Sequence, residues 1–162
     1  MMSEEQDRVS IVLFSGDLDK AMTAFMIATG AAATGMRVDM FFTFWGIPVL
    51  KKKGVKTEGK SLIEKMFGWM LPKGADNLAL SKMHMAGMGT MMMKNVMKKK
   101  KAPSLPELIV LANKLGVNLH ACEMTMGMMG IKREELIDEV KDVVGVATYI
   151  DDAASSKITL FI

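Results

Sequence analysis

The chain has a single cysteine in 162 residues, which excludes an intrachain disulfide and a zinc cluster built on thiolates. Aromatic residues make up only 6%, so bulky apolar volume must come from another residue type. No apolar run reaches the roughly 18 residues that an ordinary membrane-spanning helix needs. The N-terminal stretch MMSEEQDR is acidic and polar and does not read as a secretory leader. A lone thiol without such a leader points to the reducing cytoplasm. The turn Ser15-Gly16-Asp17 lacks the further glycines of a dinucleotide fingerprint, and no G-x-x-x-x-G-K-S/T loop occurs, so no nucleotide cofactor is expected.

What is abundant is methionine, with 19 residues, in a chain that is 50% hydrophobic and carries a net charge of +3. That small net charge hides an asymmetry. Residues 51–101 hold 13 lysines against three acids, a net +10, while the rest of the chain is at −7. Nine of the methionines lie in the same basic stretch. The spacing therefore describes one α/β domain over residues 1–162, with an insertion at about 54–101.

The flanks alternate between two periodicities. Val9–Phe14 is a short, β-branched apolar run that reads as a strand buried on both faces. Residues 18–34 place Leu18, Ala21, Met22, Phe25, Ala28, Thr29 and Ala32 on one helical face, closed by Gly35. Val38–Phe42 is a second strand, which completes a βαβ unit. Beyond the basic stretch, Ser104 and Glu107 form a capping box before a helix bearing Leu105, Leu108, Ile109, Ala112 and Leu115, closed by Gly116. Residues 117–121 read as a strand, 132–139 as a short helix, 146–153 as another helix and 158–162 as a final strand. This rhythm predicts a Rossmann-like or flavodoxin-like fold with a mostly parallel sheet.

In open α/β sheets, ligands sit outside the carboxyl ends of the strands. Three such ends are legible: Ser15-Gly16-Asp17, the Thr43–Gly46 stretch with Phe44 and Trp45, and Cys122–Thr125. The only cysteine thus falls at the rim where this fold keeps its chemistry. Backbone N–H groups of a following helix would favour its thiolate, which is the nucleophilic form. The competing reading is a packed cysteine, since free thiols are among the most buried side chains. The two readings differ in one respect: the functional one needs the sulfur open to a visitor. His120, two residues earlier on the same strand face, serves either the thiol or the structure. Asp17 and Asp19 read as caps of the first helix. Phe44 and Trp45 suit a pocket wall or, better, an oligomer contact.

The stretch LHACEMTMGMMGI (119–131) resembles the cysteine motif of the DsrE/DsrF-like sulfur-relay family. FSGDLDKAMTAFMIATGAAATGM (14–36) and VDMFFTFWGIPVLKKK (38–53) match the same pattern, so the likeness covers most of the chain outside 54–101. Similar sequences with a Met-rich insertion at this place are described as peroxiredoxin-like. The resemblance implies a Rossmann-like homo-oligomer and a sulfurtransferase or persulfide carrier in which Cys122 takes up sulfane sulfur and passes it to an acceptor thiol. Ser15, Gly16, Trp45, Gly46, His120, Met124 and Thr125 are its expected site lining, with no cofactor and no metal. Thr125 stands where the family commonly shows serine; a hydroxyl is kept, on a stiffer β-branched side chain. A thiol peroxidase would need a resolving cysteine that this sequence lacks. The opposing reading is a non-catalytic homo-oligomeric binding module whose basic Met-rich segment docks a partner protein or a membrane surface.

Within that segment, Leu62, Ile63, Met66, Phe67 and Met70 recur at helical spacing between lysines, stopped by Pro72 and Gly74. Its methionines read first as soft core filler, against this body or a partner subunit, and next as an adaptable surface for a protein or an anionic membrane. A Cu(I) site from Met83, His84, Met85 and Met91–Met93 is the weakest of the three readings. Lysines without interleaved aromatics give no nucleic-acid signature.

Overall fold

Alternation of side chains along the first strands creates two unlike sheet faces, and this difference positions everything else. The structure, a computed structural model, describes residues 6–55 and 59–162. Most of the polar N-terminal start, and three residues inside the basic segment, lie outside that range. The strands are β1 (Arg8–Leu13), β2 (Arg37–Phe42), β3 (Asn118–Cys122), β4 (Val140–Val144) and β5 (Ile158–Phe161). They pair in parallel in the order β4-β3-β2-β1-β5. The helices are α1 (Leu18–Ala33), α2 (Leu62–Met70), α3 (Met88–Lys99), α4 (Leu105–Lys114), α5 (Glu123–Met129) and α6 (Val146–Ala154).

One face carries Ile11 and Leu13, Met40 and Phe42, Leu119 and Ala121, all buried. Buried Ala21, Phe25 and Ala28 of α1 and Leu105, Leu108 and Ala112 of α4 complete this core, and Phe25 meets Phe42 at a ring distance of 5.9 Å. The other face carries Ser10, Asp39, Asn118 and His120 in the middle of the sheet. It is covered by α6, where Tyr149 stacks on Phe41 at 5.2 Å and Arg8 pairs with Asp152 at 3.0 Å. No residue of α6 is itself buried.

Three expectations change. The helix read over 132–139 is a single 3₁₀ turn, Arg133–Glu135. The chain after it must run extended, because Leu136 bridges Lys51 in antiparallel fashion and the Ile137 N–H donates to the Leu50 carbonyl at 2.8 Å. Asp17 occupies the N-cap position of α1 but makes no side-chain cap. Its carboxylate instead accepts from the Ser15 hydroxyl and pairs with Lys20, while Asp19 accepts from the backbone and hydroxyl of Ser81 at 2.8 and 2.6 Å. The third change concerns the methionines. Met66, Met70, Met83, Met85, Met88 and Met91–Met93 are all exposed and fill no core of this chain. Among the described residues, no helix is long and apolar enough to cross a membrane.

Candidate functional site

The three strand ends converge because two glycines let backbone meet backbone. A methyl group on Gly16 would stand 2.6 Å from the Trp45 carbonyl oxygen, and one on Gly46 would stand 2.1 Å from that of Leu13. The turn after β1 and the 3₁₀ segment Phe44–Leu50 after β2 therefore interlock. Thr43 N–H donates to the Leu13 carbonyl at 3.1 Å, and Gly46 N–H to the Thr43 carbonyl at 2.9 Å. Phe44 is held in the left-handed region at φ 45°. Such a conformation costs a non-glycine residue about 1 kcal/mol. Its N–H donates to Thr125 Oγ1 at 3.3 Å, and its ring packs on Phe14 at 5.6 Å.

Cys122 is the last residue of β3 and the N-cap of α5. It pairs with Val144 on one side, and Thr43 follows the last paired residue of β2 on the other. Its side chain shares the α6-covered face with His120. The sulfur is not open: Cys122 is 3% exposed and belongs to the apolar core cluster. Thr125, 1% exposed, directs its hydroxyl to that of Thr43 at 3.0 Å, which bolts the first turn of α5 to the end of β2. Ser15 is buried and bonded to Asp17. Met124, Trp45 and Phe44 are exposed and edge the rim with apolar surface, together with Phe161, whose ring stacks on Phe14 at 5.8 Å. His84 stays within its own segment, its Nδ1 3.2 Å from Thr90 Oγ1.

His120 does not turn toward the thiol. Nδ1 meets Asp142 Oδ1, and Nε2 lies 3.4 Å from Asp39 Oδ1. Asp39 also accepts from Asn118 at 2.7 Å and Arg37 at 3.0 Å, and it pairs with Arg8 at 3.5 Å. Sequence reasoning placed Thr43 at a strand end without giving it a partner, and passed over Asp39 and Asp142. The signal for Asp39 was available as a polar residue within the strand read at Val38–Phe42, whereas Asp142 lies in β4, which was not read as a strand.

Burial pushes the Asp39 carboxyl up, but hydrogen bonds from His120, Asn118 and Arg37, with the Arg37 charge, outweigh it and hold the group far below the ordinary carboxylate range. Burial likewise pushes His120 down, and the hydrogen bonds and charges of Asp39 and Asp142 outweigh it, so that its pKa is raised. The raised His120 value contributes stability that is complete below about pH 6.5 and lost as pH climbs through the folded value. The lowered Asp39 value contributes stability present above about pH 3.9 and lost in acid. Urea midpoints should accordingly fall between neutral and alkaline pH in the parent protein. In His120→Gln that fall should be reduced; an identical profile would refute the assignment.

Oxygen and nitrogen atoms of Asp39, His120 and Asp152 lie within 4.8 Å of one another, a spacing that a metal ion could bridge. Arg8 already pairs with both aspartates, and Arg37 with Asp39. Their two positive charges balance the carboxylates, so the donor set reads as a closed ion-pair network that fits no additional cation.

A family model described as DsrE/DsrF/DrsH-like matches residues 5–161. Uncharacterized protein YrkE of Bacillus subtilis (strain 168) is 51% identical over 161 residues, covering 99% of this chain and 100% of its own. Sulfur carrier protein DsrE2 of Allochromatium vinosum is 38% identical over 162 residues, covering 98% of this chain and 99% of its own. Among solved structures, protein MTH1491 of Methanobacterium thermoautotrophicum superposes with a TM-score of 0.56 at 14% identity, covering 97% of this chain and 100% of that one. The ychN protein of E. coli does so at 0.58 and 10% identity, over 97% and 99%. At those identities the likeness is one of fold alone.

Proposed function

The chain belongs to the DsrE/DsrF/DrsH-like family, and from that premise we propose that it is a cytoplasmic sulfur carrier acting through Cys122. The observation that supports this most is the placing of the only cysteine. It ends β3 at the carboxyl edge of a parallel sheet, at the start of α5, beside the interlocked turns of Gly16 and Gly46. The chain is taken as one domain in which residues 54–101 are an insertion.

In the first step the Cys122 thiolate attacks the outer sulfur of a donor persulfide R–S–SH. The donor S–S bond breaks, R–S⁻ leaves, and Cys122 becomes Cys–S–SH. An acceptor thiolate then attacks that terminal sulfur, takes it as R′–S–SH and returns Cys122 as thiolate. No external oxidant or reductant enters either step. Because Cys122 is 3% exposed, loading must follow an opening of the rim. The exposed Phe44, Trp45, Met124 and Phe161 are the surface on which a donor, an acceptor or a second copy would act to open it.

That same burial favours a second reading: a homo-oligomeric binding module whose cysteine is packed. One experiment separates the two. Reduced protein is incubated with polysulfide or thiosulfate and its intact mass measured. The carrier gains one sulfur, mapped to Cys122 and absent from Cys122→Ser. A protein that acquires no sulfur from any sulfane donor would leave only the module.

A further inference from the structure

α2 is inside out. At about 100° per residue, Leu62, Ile63, Met66, Trp69 and Met70 fall within an arc of about 120°, an ordinary amphipathic stripe. In most helices such a stripe faces the core. Here it faces away: Leu62 is 86% exposed and Trp69 81%, and no residue of the helix is buried. The helix is not free to turn over. The Glu64 side chain lies against Gly130, Phe67 packs on the core, and Lys60 Nζ donates to both carboxylate oxygens of buried Glu135 at 2.8 and 2.7 Å. A complete Ser61/Glu64 capping box fixes its first turn. Lys65 borders the stripe, and α3 ends in the run Lys98–Lys101.

We propose that this stripe seats α2 on the surface of an anionic phospholipid bilayer, parallel to the membrane plane. Helices that lie in the interface join a Trp- and Leu-bearing face to basic residues that meet anionic headgroups; α2 has the apolar face, bordered by one lysine, Lys65, and the further lysines come from the segment around it. Residues 51–101 carry a net +10; Glu135 and Asp138 from outside the segment offset part of it by pairing with Lys51, Lys60 and Lys52, and the remainder supplies the long-range attraction. The shallow depression on the stripe is lined only by Leu62, Ile63, Lys65, Met66 and Trp69. It thus has no opposing wall from another element to grip a partner's helix, and the acyl boundary of a bilayer needs none. Two copies meeting stripe to stripe would bring two such basic segments together. The contact is peripheral, in keeping with the absence, among the described residues, of a helix able to cross a membrane.

The test uses the full chain with sedimenting vesicles of phosphatidylcholine, with and without phosphatidylglycerol. Binding should be at least about tenfold tighter on the anionic vesicles. It should be released near 1 M salt, where the Debye length shrinks to about 3 Å. In a Trp45→Phe background, Trp69 emission should move to the blue on binding. Leu62→Glu and Trp69→Glu change outward-facing side chains and should weaken vesicle binding at least about tenfold at unchanged circular dichroism. Equal binding to neutral vesicles, or none to anionic ones, overturns the proposal on the parent protein alone. A self-associated parent that ignores lipid and is dispersed by either variant assigns the stripe to a second copy and overturns it as well.

Discussion

Gly46→Ala is expected to destabilise the protein by more than about 3 kcal/mol, beyond the usual penalty for an extra methyl group in a packed core. The added carbon would stand 2.1 Å from the Leu13 carbonyl oxygen, far inside contact distance. That oxygen cannot retreat, because it belongs to β1, which is flanked on both sides by paired strands, and it accepts the Thr43 N–H. The 3₁₀ segment cannot retreat either without drawing Phe44 off Thr125 and Phe14. Gly30→Ala is the matched control. It lies within α1 with no atom within 4 Å of the added carbon. It should stabilise by about 0.5–1 kcal/mol, the helix preference for alanine over glycine. Urea unfolding of both variants checks the pair; a midpoint for Gly46→Ala equal to the parent's would mean that the two turns do not interlock.

The second large effect is expected at Asp39. Removing its carboxylate in Asp39→Ala should cost about 3–5 kcal/mol, the range found when one partner of a buried ion pair is deleted. Arg8, Arg37, Asn118 and His120 all lose an acceptor at once, and buried His120 is the partner that water is least able to serve in its place. Asp39→Asn keeps the shape and part of the hydrogen bonding, so it should cost less. It should also abolish the acid loss of stability that Asp39 contributes below about pH 3.9. Chemical denaturation at acid and neutral pH measures both. If Asp39→Ala and Asp39→Asn match the parent, the network is solvent-supported and not a buried anchor.

Much of this architecture was legible from local chemistry. The β-branched run read at Val9–Phe14 and the apolar spacing read over 18–34, which the structure has as Arg8–Leu13 and Leu18–Ala33, follow from side-chain periodicity alone. So do the Ser104/Glu107 cap and the left-handed Gly35 and Gly116. The arrival of Cys122 at the carboxyl end of β3 followed from the same reading. Features that depend on distant partners were not legible. The extended path of Leu136 depends on Lys51, and the outward turn of α2 depends on Glu135 and Gly130. The burial of Cys122 and the joining of the end of β2 to the start of α5, through a Thr43–Thr125 bond between residues 82 apart, both depend on tertiary packing. Ser10, Asp39, Asn118 and His120 fall between those cases. Their alternation was visible, but each strand was judged by its apolar majority.

The pairing order of the sheet also shapes how the chain matures. β1 meets β2 across a short separation, with Val9 beside Val38, but its other edge is satisfied only when Val9 pairs with Ile158. During synthesis β1 therefore precedes all its sheet partners and waits for its final neighbour until residues 158–161 have been made. Through that interval it presents an open hydrogen-bonding edge flanked by apolar side chains, the kind of surface that recruits stray strands. Loss of β5 would turn β1, otherwise an interior strand, into an open margin of the sheet.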